Sequence, residues 1–185
     1  MRKRTYGKDP EPEPRHDYSS TQVDVTGRIA AIMKNMAAAI PDGDIGPDGR
    51  EAESHITARW GLHFATPTKK MRDALKEFGP VKVMLGKTSL FRNDDADVLK
   101  VEVKSPDLHR LNALLGRLAP NHSTHPIYLP HATIAYLKPG AGKKYVGDKA
   151  LDGKELMFTS LTFSGKNGHR ESLPLTGSTV KYRTR

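Results

Sequence analysis

Two histidines in this chain each stand two positions before a threonine at the head of a strand-like run: His55-Ile-Thr57-Ala-Arg-Trp60 and, 76 residues later, His131-Ala-Thr133-Ile-Ala-Tyr136. Side chains of an extended segment alternate faces, so each His and its Thr point the same way, about 6.5 to 7 Å apart. An imidazole gains or loses a proton near neutrality. Two of them, each with a hydroxyl donor beside it, are the parts needed to handle a phosphodiester without a metal.

Spacing alone is weak support. With 14 threonines and eight histidines in 185 residues, somewhat under one His-x-Thr is expected by chance. A third copy, His122-Ser-Thr124, lies between Pro120 and Pro130 in a run without apolar alternation and reads as loop. His16, His63, His109 and His169 read with His122 as surface or hydrogen-bonded structural residues.

What lifts the two chosen copies is the pair of elements that must position them. Before the first comes a strand-like Thr21-Gln-Val-Asp-Val25. An apolar stripe at helical spacing follows (Ile29, Ile32/Met33, Met36, Ile40), then Pro41 and a polar loop to His55. Before the second comes Val98-Leu-Lys-Val-Glu-Val103, then Leu108, Leu111, Leu114/Leu115 and Leu118, then Pro120 and a loop to His131. Strand, helix and proline stop recur in near register, which predicts an internal duplication. The stripes themselves are core.

Elsewhere, Thr66-Pro67 predicts a helix start, with Met71, Leu75 and Phe78 on its apolar face and Gly79 as its stop. Val81–Leu85 and Thr88–Arg92 read as strand with a bend or bulge at Gly86, and Asn93-Asp-Asp95 as a turn. Leu156–Phe163 reads as one strand, Gly165-Lys-Asn-Gly168 as a hairpin turn and Glu171–Leu175 as the return strand. The order predicts an α+β protein, two-lobed and internally duplicated, with antiparallel sheets around a central groove and helices outside. Repeat one is expected over about 18–93 and repeat two over about 96–176, within one domain at 17–176.

Composition bounds the rest. Residues 1–16 are charged and proline-rich without apolar period, and read as a disordered tail; 177–185 read as a basic C-terminal tail. No run approaches 18 apolar residues and no signal peptide is visible, so the expectation is a cytoplasmic monomer without membrane contact. The absence of cysteine excludes disulfides, thiol catalysis and thiolate metal sites. The net charge of +9 divides as +2 over 1–16, +1 over 17–137 and +6 over 138–185. Lys138-Pro-Gly-Ala-Gly-Lys-Lys-Tyr145 is thus expected to close on a bound anion, and the sign of the charge favours a phosphate-bearing substrate.

Two His-x-Thr strands in duplicated halves resemble the 2H phosphoesterase superfamily, which includes RNA 2′,3′-cyclic phosphodiesterases, bacterial 2′-5′ RNA ligase-like proteins and oligonucleotide phosphodiesterases. The resemblance spans roughly residues 18–175. More narrowly, Ser20-Thr-Gln-Val23, Asp48-Gly-Arg-Glu51, His55–Leu62, Ser105–Asn112, Pro130–Gly140 and Phe163-Ser-Gly-Lys166 look like a phage-encoded branch related to the anti-CBASS nucleases, which destroy cyclic oligonucleotide immune signals. In that case the host cell cytoplasm is the working compartment. Ala58 and Ala132 depart from the bulky apolar residues usual at the intervening positions of the motif strands.

The resemblance implies a metal-independent phosphodiesterase without a cofactor, with His55, Thr57, His131 and Thr133 as its catalytic residues. One neutral imidazole takes the 2′-hydroxyl proton, the other, protonated, serves the leaving 5′-oxygen, and the threonines hold the non-bridging oxygens. Substrate contacts are expected from Tyr18 and Tyr145, stacking on bases, and from Arg59 and Lys138 on phosphate. Trp60 and Tyr136 have the opposite strand parity to the histidines and are assigned to the core. Two other readings compete: a non-catalytic nucleic-acid-binding module, and a zinc site at His122, His125 and His131, which no nearby Asp, Glu or Cys completes.

Overall fold

The computed structural model describes residues 18–63, 68–119, 121–122, 127–165 and 168–178. Strand β1 (Tyr18–Asp24) leads into helix α1 (Gly27–Ala38), a 3-10 turn at Asp42–Asp44, and strands β2 (Ile45–Arg50) and β3 (His55–His63). Helix α2 (Thr68–Leu75), β4 (Val81–Arg92), β5 (Asp97–Lys104) and α3 (Pro106–Leu118) follow. The chain closes with β6 (His131–Leu137), a 3-10 turn at Ala141–Tyr145, β7 (Glu155–Phe158), β8 (Ser160–Ser164) and β9 (Arg170–Pro174). Two antiparallel sheets result, ordered β3-β1-β8-β9 and β2-β6-β5-β4-β7. This is the expected α+β architecture. The 1–16 segment and the Thr66-Pro67 helix start lie outside the described residues. Among the described residues, no helix is long and apolar enough to cross a membrane.

The apolar stripes dock as their spacing requires. Met33 and Ala37 of α1, Met71 and Leu75 of α2, and Leu108, Leu111 and Leu115 of α3 are buried together with Ile56, Ala58, Ala132 and Ile134 of the motif strands. Ser105 caps α3, its hydroxyl accepting from the Leu108 amide at 3.0 Å, with Pro106 in the first turn. The C-terminal end of α1 has a different solution. The Arg50 guanidinium donates to the carbonyls of Ala37 (2.9 Å) and Ile40 (2.6 Å), tying the end of the helix to β2. Helix α3, from the second repeat, packs on β3 of the first, and α1 packs on β6 of the second.

Two sequence expectations need correction. The loop before His55 contains a strand, β2, which pairs with β6 (Ile45↔Leu137, Arg50↔Ala135). Its Gly46 lies so close to the Leu137 backbone that a Cβ would come within 3.2 Å of it. This contact is made by main chain, so it leaves no alternating apolar pattern to read. The run 156–163 is two strands, not one. It breaks at Thr159, after which β7 stays beside β4 and β8 crosses to pair with β1. The irregularity expected at Gly86 is present, since β4 carries a register shift between Leu85 and Thr88. The sheets therefore do not divide where the chain's halves divide. β2 of the first half joins the second sheet, and β8 and β9 of the second half complete the first.

Candidate active site

The motif strands β3 and β6 approach each other where the two sheets meet. Ile56 and Ala58 on one strand, and Ala132 and Ile134 on the other, point into the core. Alternation then turns His55, Thr57, His131 and Thr133 to the opposite, half-buried faces.

Both imidazoles are fixed in the same manner. Nδ1 of His55 donates to the carbonyl of Glu53 at 2.8 Å, and Nδ1 of His131 donates to the carbonyl of Leu129 at 2.7 Å. A carbonyl can only accept, so each bond holds the proton on Nδ1 and presents Nε2 as the working nitrogen. Two rings two positions past their carbonyl partner, on equivalent strands, are thereby set in one tautomer.

The rows across each sheet match as well. His55 lies opposite Asp24 on β1, and Thr57 opposite Gln22, which in turn faces Thr162 on β8. His131 lies opposite Glu102 on β5, and Thr133 opposite Lys100, which faces Ser89 on β4. Each half is thus a His beside a carboxylate, and a Thr beside a polar middle residue and a hydroxyl.

The middles differ. Gln22 donates to Asp24 at 2.6 Å, and Thr162 donates to the same carboxylate at 2.6 Å, so within the first row two neutral side chains converge on one anion, which Arg170 meets from β9 at 3.2 Å. Lys100 is only 8% exposed; its ammonium donates to Ser89 Oγ at 2.7 Å and stands 4.2 Å from the Phe91 ring centre. The Phe91 ring meets His131 edge-on at 4.8 Å. Burial pulls the Lys100 pKa below its ordinary value, partly offset by Glu102. Sequence reasoning passes over Lys100, Phe91, Gln22 and Asp24. The signal is present: a Lys and a Glu alternate with apolar residues in Val98–Val103, on the parity that faces away from the core.

A bulge in each motif strand overturns the parity beyond the threonine. Thr57 pairs with Gln22 but Arg59 with Thr21, and Thr133 pairs with Lys100 but Ala135 with Leu99, so one extra residue sits on each motif strand. Arg59 therefore leaves the His55 face. Its guanidinium donates to Asn112 Oδ1 of α3 at 3.1 Å and to Asn121 Oδ1, and its Nε is buried without a partner. It is a structural clamp between β3 and α3, not the phosphate contact expected. Trp60 and Tyr136 return to the histidine side and are not core. Trp60 is 46% exposed. The Tyr136 phenol lies beside Thr133, and its pKa is raised, by burial first and then by Glu51 and Asp48, against a lowering by Thr133.

Tyr18 faces the far end of β3, opposite His63. Its ring lies 5.2 Å from Trp60 and stacks on His122 at 5.7 Å with an interplanar angle of 10°. Gly61 (φ +77°) allows this crowding, since a Cβ there would collide with the His122 carbonyl. The two basic-loop candidates are not brought to the histidines. Lys138 lies beyond the end of β6, about 20 Å along the strand from His131, and its ammonium donates to the Gly43 carbonyl at 2.7 Å. The Tyr145 hydroxyl donates to Asp44, which also binds Lys144 at 2.7 Å. The expected anion-closing loop is instead a 3-10 turn tied to the Asp42–Asp44 turn by its own counterion. Of the zinc candidates, His125 lies outside the described residues and His122 is at the Tyr18 end of β3. Among the described residues no three His, Cys, Asp or Glu side chains gather as a metal site.

Second-half side chains also prop the first motif strand. Tyr128 donates its hydroxyl to the Thr57 carbonyl at 2.7 Å, and Asn112 donates to the Ala58 carbonyl at 2.6 Å. Burial pushes the Tyr128 phenol well above its ordinary value, so it remains a donor.

Known structures share this arrangement of strands, although no family model and no curated protein sequence matches the chain. Among solved structures, the protein TT0787 of Thermus thermophilus superposes with a TM-score of 0.62 at 17% identity, covering 88% of this chain and 100% of that one. The chain has the 2H phosphoesterase fold. Usb1 of Kluyveromyces marxianus, solved with uridine monophosphate, gives 0.52 at 12% identity over 86% of this chain and 99% of its own. A protein described as a phosphoesterase gives 0.51 at 14% over 86% and 95%. At these identities the likeness is one of fold.

Proposed function

We propose that this chain is a metal-independent phosphodiesterase that cleaves 3′-5′ linkages of cyclic di- and trinucleotide immune signals by paired histidine acid-base catalysis. The observation that carries the reading is the matched tautomer lock: two Nδ1–H groups held by carbonyls, two Nε2 atoms presented from adjoining strands, and a Thr hydroxyl beside each. In the proposed step one Nε2 removes the 2′-hydroxyl proton, the 2′-oxygen bonds to phosphorus, the bond from phosphorus to the 5′-oxygen breaks, and the second imidazolium protonates that oxygen. The products are a 2′,3′-cyclic phosphate and a free 5′-hydroxyl. Thr57 and Thr133 donate to the non-bridging oxygens, where charge develops. Tyr18 and Trp60, beyond Thr57 on the same strand pair, supply a base-stacking platform.

RNA processing is the second reading, supported by the fold neighbour that was solved with uridine monophosphate. A panel of cyclic di- and trinucleotides, 2′-5′ oligoadenylate and 2′,3′-cyclic-phosphate-ended RNA, incubated with chelator, separates the two. Turnover of the cyclic substrates with a cyclic-phosphate product supports the first reading, and turnover of the RNA end alone supports the second. Tight binding without turnover of any would leave a nucleic-acid-binding module, and a strict need for a divalent ion would overturn the mechanism.

A further inference from the structure

Beside each motif histidine lies a cavity, and the two are counterparts in the duplication. One, of about 400 Å³, is bounded by Asp24, Val25, Ala30 and the Glu53-Ser54 pair that precedes His55. The other, of about 660 Å³, is bounded by Glu102, Val103, His109 and the Leu129-Pro130 pair that precedes His131. Asp24 and Glu102 are the cross-strand partners of the two histidines, and Ala30 and His109 are each the fourth residue of their helix.

Chemically the cavities have diverged. In the first, Arg170 is committed to both carboxylates, Glu53 and Asp24 (3.2 Å to the latter), and with Lys34 on the wall the formal charges cancel. In the second, Lys100 and Lys104 face a single carboxylate, Glu102, with the His109 imidazole beside them. Lys100 is nearly buried yet in ion-pair contact with no carboxylate among the described residues. A hydroxyl and a ring face occupy two of its three donor directions. An ammonium out of water with a donor uncommitted is costly unless an anion meets it.

We propose that the cavity beside His131 is a subsite for a second phosphate of the substrate, adjacent to the one cleaved, and that the site therefore reads its substrate in one direction. The identity of the ligand rests on the phosphodiesterase reading, while the subsite itself is tested by binding alone. A second phosphate enters where Lys104 and the remaining donor of Lys100 face the cavity. It is refused on the His55 side, where Arg170 is already neutralised and Asp24 and Glu53 repel it.

The test is calorimetric titration of the full chain with adenosine 3′,5′-bisphosphate, adenosine 5′-monophosphate and adenosine 3′-monophosphate, at fixed salt. The bisphosphate is expected to bind roughly tenfold or more tighter than either monophosphate, as one added charged hydrogen-bonded contact implies. Lys104→Ala, at an exposed position that leaves the fold intact, should erase the difference. Lys100→Met should do the same, and Lys34→Ala in the counterpart cavity should preserve it. Equal affinities for the three ligands, or a preference that survives Lys104→Ala, overturns the subsite whether or not the protein turns over any dinucleotide. Loss of turnover with the preference intact overturns only the phosphodiesterase reading.

Discussion

The row around His55 and the row around His131 hold the same acid-base parts and hold them with the same backbone bond, yet a neutral amide, Gln22, sits between hydroxyl and threonine in one row and a nearly buried cation, Lys100, in the other. The duplication keeps the proposed catalytic residues alike and lets the next residue inward diverge. A phosphate bound between the two threonines would therefore experience a lopsided field, with its positive side toward β5. A symmetric pair of histidines can in this way serve two different roles in one reaction without any difference between the histidines themselves.

Replacing either histidine is the hardest test of that likeness. His55→Ala and His131→Ala should each lower kcat/KM by about 10²- to 10⁴-fold while leaving the thermal midpoint nearly unchanged, since both rings are on the groove face. The wild-type pH-rate profile should be bell-shaped, and each variant should lose a different limb. Loss of the same limb in both would break the assignment of opposite roles.

Next in size are the hydroxyls. Thr57→Val and Thr133→Val should each reduce kcat by about 10²-fold, the order found for one lost transition-state donor. Equal effects from both would mean that Lys100 adds nothing to its side. A smaller effect at Thr133 would mean that the cation compensates.

Trp60→Ala should weaken nucleotide binding by about 1 to 3 kcal/mol, the usual worth of a base on an aromatic face, with kcat little affected. Tyr136→Phe, at the counterpart position, should change it less. A titration in which Trp60→Ala binds as tightly as the wild type removes the platform.

The smallest expected effect lies farthest from the histidines. Lys144 and the Tyr145 hydroxyl hold the Asp44 carboxyl below its ordinary value. The stability they lend is present above the usual carboxylate range and is lost as the pH falls through the lowered value. Asp44→Asn should therefore lower the thermal midpoint slightly at pH 7, by an amount that shrinks as the pH falls through the lowered value, with turnover unaffected. A large loss of turnover at pH 7 would return the basic loop to the site.

Much of this arrangement is legible in the sequence because it is written in period. The stripes of α1 and α3 and the alternation in β5 reflect burial, and burial is what apolar spacing records. The illegible residues are those where main chain intervenes. Arg59, Trp60 and Tyr136 are displaced by a single extra residue in each strand, which reverses every side chain after it and leaves no compositional trace. Strand β2 leaves none either, because Gly46 and Pro47 interrupt any alternation in a segment that joins β6 through its backbone. Charge and proximity in sequence point Lys138 and Tyr145 toward the site, whereas local acceptors at Gly43 and Asp44 decide where they go. Lys100 stands in plain view within an apolar strand.

The crossing of β8 to the first sheet also shapes how the chain comes together. Ser20, Thr21 and Gln22 find their partners at Ser164, Phe163 and Thr162, near the other end of the chain. Until that segment is made, the first sheet consists of the β3-β1 pair alone, and a two-stranded pair lends little stability by itself in water. On a growing chain the older half must therefore wait for the younger, a long-range pairing that folds slowly. A polypeptide ending before residue 160 would leave the inner edge of β1 bare, with no competent groove and an open strand on offer to its neighbours.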